Sequence, residues 1–96
     1  MIRFVGDVEY TFVGTGVAGP NEIWNVGNAK GQGAAACYEA VKLDQRCEKD
    51  YFTYVTRGDK NCGCKGSNGV LSIRQDRKAD YFKINSEGMH KFINIL

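Results

Sequence analysis

Residues 37–64 read CYEAVKLDQRCEKDYFTYVTRGDKNCGC and hold all 4 cysteines of the 96-residue chain. Cys37, Cys47, Cys62 and Cys64 alternate with the segments that have the clearest helical and β-strand patterns. A domain of this length buries only about 60–65 % of the surface that its unfolded chain exposes, so its apolar core alone gives a small stability. Each disulfide would add about 3 kcal/mol. The clustered cysteines therefore predict two disulfide bonds and an oxidising compartment.

The same stretch predicts one helix followed by a β-hairpin. Residues 32–43 are rich in alanine and other strong helix formers, and Cys37 and Val41 fall on one helical face. The residues after this helix include six consecutive β-formers and then a polar, glycine-containing turn. The predicted hairpin consists of a strand at 51–56, a turn at 57–61 and a second strand at 62–65.

The rest of the chain predicts further strands separated by turns. Residues 3–13 indicate one or two strands interrupted at Gly6 and Asp7, and the glycine- and asparagine-rich stretch 14–33 contains a short strand with Ile23 or Trp24 turned inward. Strands are also predicted at 70–74 and 80–84, and residues 85–96 are predicted as a tail or a short docking helix. The fold class is α+β, in a single domain over residues 1–96, with one helix packed across a small antiparallel sheet.

The alternation of side chains along a strand constrains the direction in which two of the cysteines point. Cys62 and Cys64 are two residues apart on a predicted strand, so both point to the same face of the sheet. If that face packs on the helix, both reach cysteines on the helix side, where Cys37 lies on the helix and Cys47 just beyond its end. Four cysteines allow three connectivities, and local pairing of Cys37 with Cys47 and of Cys62 with Cys64 remains an alternative.

Composition and charge narrow the classes of partner. The 13 Lys and Arg residues are interspersed with 11 Asp and Glu residues, so nucleic acid is not expected as a partner. No apolar run approaches the roughly 18 residues that a membrane span needs. Residues 1–10 do not have the pattern of a signal peptide. For a secreted or cell-surface protein, we therefore expect that a leader has been removed or that the domain comes from a longer precursor.

The cysteines and aromatic residues together resemble a PAN/apple domain over roughly residues 12–84. In that family a cysteine-bearing helix lies across a small antiparallel sheet, a further cysteine precedes an aromatic-x-aromatic strand, and another cysteine lies on the next strand. The resemblance implies that Phe52 and Tyr54 pack beneath the helix, while Tyr51 and Thr53 face the other side. It is carried by Cys37 to Cys47, by residues 51–54, by Asn61-Cys62-Gly63-Cys64-Lys65 and by residues 81–84.

This resemblance also implies a disulfide pairing. The family pairs the equivalents of Cys37 and Cys62. Its usual second helix cysteine would fall at Val41 and is absent, while Cys64 stands where the family has an apolar residue. We therefore expect Cys64 to replace the missing partner of Cys47. PAN/apple domains bind proteins or carbohydrates, which implies adhesion or lectin-like recognition.

Signatures of other chemistry are weak in this sequence. Zinc sites normally use Cys-x-x-Cys spacing, whereas this chain has one Cys-x-Cys and a single histidine, His90. A small metal-binding protein is therefore only an alternative, and His90 is expected to be an exposed, non-catalytic side chain. Gly14, Gly16 and Gly19 match a dinucleotide fingerprint, but Pro20 follows where that motif requires a helix. No enzymatic activity and no cofactor are predicted.

The chain is thus predicted to be an extracellular binding module for a glycan or a protein. Aromatic side chains beside polar groups are the candidate ligand platform, with core packing as the competing interpretation for Trp24. An exposed Arg-Gly-Asp triplet could present charges to a receptor, although ordinary turn chemistry also explains it. A structural repeat unit, or a homodimer formed through an exposed sheet edge, is the alternative. The candidate ligand-binding residues are Trp24, Asn25, Asn28, Tyr51, Arg57 and Asp59.

Overall fold

The computed structural model describes residues 9–66 and 70–85. The predicted strand region before residue 9, the tail after Asn85 and His90 lie outside the described residues. In the described part the chain forms one α-helix and seven strands. They are β1 (Tyr10–Thr15), β2 (Val17–Gly19), β3 (Ile23–Trp24), α1 (Ala34–Leu43), β4 (Tyr51–Tyr54), β5 (Cys62–Cys64), β6 (Ser72–Arg74) and β7 (Asp80–Ile84), with a 3-10 turn at Val26–Asn28.

Helix α1 begins two residues later than predicted because of the glycines that precede it. Gly31 and Gly33 have φ angles of 79° and 99°, which a helix does not use, so Gln32 cannot belong to it. The Gly33 carbonyl accepts the N–H of Cys37 at 3.0 Å, and the Gly33 N–H donates to the Tyr54 hydroxyl at 2.9 Å. The start of the helix is therefore tied directly to the sheet.

The main sheet has five antiparallel strands in the order β1-β7-β4-β5-β3. The predicted hairpin is its β4–β5 pair, in which Phe52 lies opposite Cys64 and Tyr54 opposite Cys62. Helix α1 covers one face, which we call the inner face. Phe52 and Tyr54 are buried there in the main core cluster, as expected, and Phe52 stacks on Phe82 with ring centroids 4.8 Å apart.

Both disulfides lie on the inner face. Cys37 pairs with Cys62 and Cys47 pairs with Cys64, so the parity argument and the expected connectivity are confirmed. All four cysteines are buried in the main core cluster. One disulfide joins the helix to β5 and the other joins the segment after the helix to the same strand. The two disulfides therefore hold the helix and the segment that follows it against the sheet.

A second, two-stranded sheet covers part of the opposite face, which we call the outer face. It pairs β2 with β6, with Val17 opposite Arg74. The Ala18 N–H donates to Thr53 Oγ1 at 2.9 Å, which links the two sheets. Thr53 faces away from the helix as predicted, yet its exposed fraction is 0 % because this small sheet covers it. A separate apolar cluster of Val17, Val55 and Ala79, with Trp24 packed against it, fills the space between the sheets.

Candidate functional site

A cavity of about 290 Å³ opens beside this second cluster. Trp24 of β3 and Val55, the residue after β4, form its apolar walls. Its polar walls come from two turns: Asp59 and Asn61 lie between β4 and β5, and Asp76 lies between β6 and β7. Three chain segments that are distant in sequence therefore meet around one concave surface.

The β4–β5 turn has a fixed shape. The Val55 carbonyl accepts the N–H groups of Gly58 and Lys60 at 3.3 and 3.0 Å, and the Val55 N–H donates to the Asn61 carbonyl at 3.0 Å. Lys60 adopts a left-handed conformation with φ 64°. Asp59 Oδ1 accepts the Asn61 N–H at 3.0 Å, which places this carboxylate at the cavity.

Arg57 anchors the turn from outside the cavity. Its Nη2 lies 2.6 Å from Asp80 Oδ1 and its Nη1 lies 3.1 Å from Asp80 Oδ2, a bidentate ion pair. Its Nε also donates to the Arg77 carbonyl at 2.9 Å. The guanidinium group lowers the pKa of the Asp80 carboxyl by hydrogen bonding. Arg57 therefore joins the β4–β5 turn to the start of β7.

The three polar side chains of the cavity share one property: each uses one oxygen for local structure. Asn61 Oδ1 accepts the N–H groups of Cys62 and Asn25 at 2.8 and 3.2 Å, and Asp76 Oδ1 accepts the Lys78 N–H at 3.0 Å. Within the described ranges, the second oxygens of Asp59 and Asp76 and the Asn61 Nδ2 group make no hydrogen bond. The cavity thus offers two carboxylate acceptors and one amide donor on side chains that are already oriented.

Trp24 occupies its position because β5 has a glycine opposite it. Trp24 pairs with Gly63 across the β3–β5 ladder. A Cβ atom on Gly63 would lie 2.7 Å from both Cε3 and Cζ3 of Trp24 and 2.8 Å from Glu22 Oε2. The absence of a side chain at Gly63 therefore makes room for the indole on the outer face.

The Gly63→Ala substitution should displace the indole and destabilise the protein by about 1–3 kcal/mol. We expect the fluorescence of Trp24, the only tryptophan of the chain, to shift to longer wavelength, with a melting temperature lower by roughly 4–20 °C. Gly14→Ala is the matched control, because the three atoms nearest to its Cβ would all belong to the Tyr81 side chain, the closest at 3.3 Å. Unchanged Trp24 emission in Gly63→Ala would contradict this description of the contact.

Glu22 is a buried acid next to this contact. Both carboxyl oxygens are buried, and neither makes a hydrogen bond within the part of the chain that the structure describes. Burial raises the pKa of the Glu22 carboxyl to about 8, although the nearby Thr53 hydroxyl and Arg74 guanidinium lower it. The Thr53 hydroxyl approaches the carboxyl without reaching normal hydrogen-bond geometry. Glu22 is therefore mainly protonated at neutral pH.

The structure brings together only some of the predicted ligand-binding residues. Trp24 and Asp59 line the same cavity, and Asn25 contributes a backbone N–H to Asn61 at its border. Asn28 does not line the cavity; its carbonyl accepts the Gln32 amide at 3.4 Å. Arg57 is bound to Asp80. Trp24 also packs against the second cluster, as its core-packing interpretation predicts, while its part in ligand binding stays a prediction.

Tyr51 lies elsewhere on the outer face. Its ring centroid is 6.5 Å from that of Tyr81, and Lys83 Nζ lies 5.7 Å from the Tyr51 ring centre. Tyr51 does not line the cavity. The Tyr51 ring, which is half-buried, and the cavity are thus two separate features. Of the two, the cavity combines an aromatic wall with several polar groups.

Sequence reasoning did not identify Asn61, Asp76 and Val55 as cavity residues. The sequence predicts Asn61 in a turn and Val55 in a strand, and Asp76 falls between two predicted strands. The only available signal was that Asp59, Asn61 and Asp76 are turn-forming residues beside strand ends. Their meeting depends on the strand order, which the sequence does not reveal.

Metal and membrane features are absent from the described residues. No group of three or more His, Cys, Asp or Glu side chains within residues 9–66 and 70–85 could hold a metal ion, and all four cysteines form disulfides. No helix in these ranges has the length and apolar character needed to cross a membrane. Gly14 and Gly19 lie in strands β1 and β2, so the glycine pattern does not precede a helix.

Comparison of the chain with protein-family models, with curated proteins and with solved structures finds no match.

Proposed function

We propose that this chain is an extracellular, non-enzymatic binding module of lectin type, and that it binds a saccharide in the Trp24 cavity. The observation that carries the proposal is the composition of this cavity, in which an indole and an aliphatic wall adjoin Asp59, Asn61 and Asp76. The resemblance to PAN/apple domains in cysteine and aromatic spacing supports the same class of function.

The chemistry of the cavity suits a sugar. A pyranose ring has C–H groups that pack on an aromatic surface, and hydroxyl groups around its edge that donate and accept hydrogen bonds. The indole supplies the apolar contact, the two free carboxylate oxygens accept from hydroxyl groups, and Asn61 Nδ2 donates to one. A volume of about 290 Å³ is at the small end of ligand sites. It fits one end or one branch of a glycan.

The framework around the cavity suits a function outside the cell. The two disulfides stabilise a small core and persist in oxidising compartments. They also limit the movement of β5, which carries Gly63 beneath the indole. Little reorganisation is therefore needed on binding, which favours affinity at a small site.

Trp24→Ala should weaken saccharide binding about tenfold or more, because it removes the aromatic wall. Binding partners would first be identified on a glycan array and their affinities then measured by titration calorimetry. Tyr51→Ala is the matched control: it removes an aromatic side chain from the same sheet face but outside the cavity. Trp24→Phe, which retains part of the packing, should give an intermediate loss.

Circular dichroism and the melting temperature establish that each variant is folded. The proposal fails if the wild-type chain binds no saccharide at high protein concentration. It also fails if Tyr51→Ala abolishes binding while folded Trp24→Phe and Trp24→Ala bind like the wild type.

A further inference from the structure

We infer that the Trp24 cavity selects a saccharide with a protonated primary amine over neutral and anionic saccharides. This inference rests on the proposed lectin-type function and specifies its ligand class. The feature that carries it is the charge of the lining: among the described residues that line the cavity, the two ionisable side chains, Asp59 and Asp76, are both carboxylates.

Arg57, a cation of the β4–β5 turn, does not neutralise these carboxylates. Arg57 makes its ion pair with Asp80, where the two groups lie 2.6 Å apart. Lys60 lies in the same turn as Asp59, and Arg77 and Lys78 directly follow Asp76, but none of the three lines the cavity and all three are exposed. Among the described salt bridges, none involves Asp59 or Asp76. The lining therefore presents a net negative charge to a ligand.

The position of the free polar atoms suits an ammonium group. Asp59 and Asp76 each use Oδ1 to accept a backbone N–H, so Oδ2 remains as an acceptor on each. An ammonium group donates three hydrogen bonds and pairs favourably with carboxylates. The Trp24 indole lines the same cavity and attracts a cation through its ring electrons. An N-acetyl group has no charge, and a sulfate or carboxylate would be repelled.

An amino sugar fits this lining better than a lysine side chain. A lysine presents one ammonium group on a flexible stem. The cavity offers, besides its two carboxylates, the Asn61 amide donor and two apolar walls. An amino sugar uses all of these groups at once, because its ring packs on the indole, its hydroxyl oxygens accept from Asn61 and its amine pairs with the carboxylates.

The test compares the tetrasaccharides of glucosamine and N-acetylglucosamine, a sulfated tetrasaccharide and tetralysine. Affinities are measured through Trp24 fluorescence at low salt and about pH 6, where an amine is protonated. We expect the glucosamine tetramer to bind about tenfold more tightly than its N-acetyl counterpart, and this preference to shrink as salt is added. The sulfated tetrasaccharide and tetralysine should both bind more weakly than the glucosamine tetramer.

The double variant Asp59→Asn with Asp76→Asn removes both charges. Asparagine retains a side-chain oxygen, so it can still accept the backbone N–H groups of Asn61 and Lys78. This variant should lose the preference for glucosamine while it still binds the N-acetyl tetramer. Glu39→Gln is the control, because it removes an exposed negative charge from the helix on the other side of the sheet.

The outcomes separate the two proposals. Equal affinity for both tetrasaccharides, or a preference that the double variant retains, would overturn the selectivity and leave the lectin function intact. Tighter binding of tetralysine than of the glucosamine tetramer would overturn it in favour of a peptide ligand. Absence of binding to any saccharide would count against the proposed function itself.

Discussion

Replacing Cys37 and Cys62 together with alanine should lower the free energy of unfolding by about 3 kcal/mol. The disulfide closes a loop with a sequence separation of 25 residues, and in the chain-entropy model its loss returns that much conformational freedom to the unfolded chain. Guanidinium titration, followed by both circular dichroism and Trp24 fluorescence, measures the change. A loss of this size is a large part of the free energy of unfolding of a whole domain, which is typically about 5–15 kcal/mol.

The second disulfide gives an internal comparison. The Cys47 and Cys64 pair closes a shorter loop with a separation of 17, so its removal should cost slightly less. Removal of both pairs should leave the chain unfolded at 25 °C. If either double variant lost less than about 1 kcal/mol, the disulfides would not be the main support of this small core.

The stability of the protein should fall by roughly 3 kcal/mol between about pH 5 and pH 8 because of Glu22. The pKa of its carboxyl is raised by burial from 4.5 to about 8 in the folded chain. Below the unfolded pKa, the group is protonated in both states and has no effect. Between the two pKa values only the unfolded chain releases the proton, so unfolding becomes more favourable as pH rises. Above the folded pKa the loss is complete.

Glu22→Gln isolates this contribution, since glutamine has a similar shape and does not ionise. The stability difference between variant and wild type should change by roughly 3 kcal/mol over this interval, in favour of the variant at high pH. Taking the difference removes the pH dependence that the other groups contribute equally to both proteins. Two other carboxyls change the stability in the opposite direction and at lower pH. Arg46 lowers the pKa of Asp44 to about 2, and Arg57 lowers the pKa of Asp80. Parallel pH profiles for the two proteins would contradict the burial of Glu22.

The features that the sequence predicts well depend on local patterns. The helix, the β4–β5 hairpin and strand β7 follow from side-chain periodicity and turn residues, and the final strand agrees with its predicted limits at Asp80–Ile84. The placement of Cys62 and Cys64 on one face follows from strand parity alone. These features need no information about distant parts of the chain.

The features that the sequence does not predict depend on contacts between distant segments. Strand β2 has only three residues and no strong pattern of its own. Strand β6 lies within the strand predicted at 70–74, but its pairing with β2 spans more than half of the chain and has no local signal. Their pairing buries Thr53 and creates the second cluster. Lys65, whose side chain is 1 % exposed and lies 3.3 Å from Asp50, likewise has a residue type that predicts exposure.

The candidate site has the same origin. Trp24 and Asp59 were identifiable as an aromatic residue and a turn acid, but Asn61 and Asp76 gain significance only from the strand order that brings their turns together. Tyr51 is also predicted as a ligand-binding residue from its chemistry alone, but the fold places it outside the cavity. The identity of the groups is therefore local information, while their combination into a site is a property of the tertiary structure.

The most direct test of the proposed saccharide site is a map of NMR chemical-shift changes on titration with the glucosamine tetrasaccharide. We predict that the largest changes occur at the Trp24 indole N–H, the Asn61 side-chain amide and the Val55 backbone amide, which all belong to residues of the cavity. The amides of Tyr51 and Lys83 should change little. Saturable binding with its largest changes around Tyr51 and Lys83, and none at Trp24, would contradict the assignment of the binding site to the cavity.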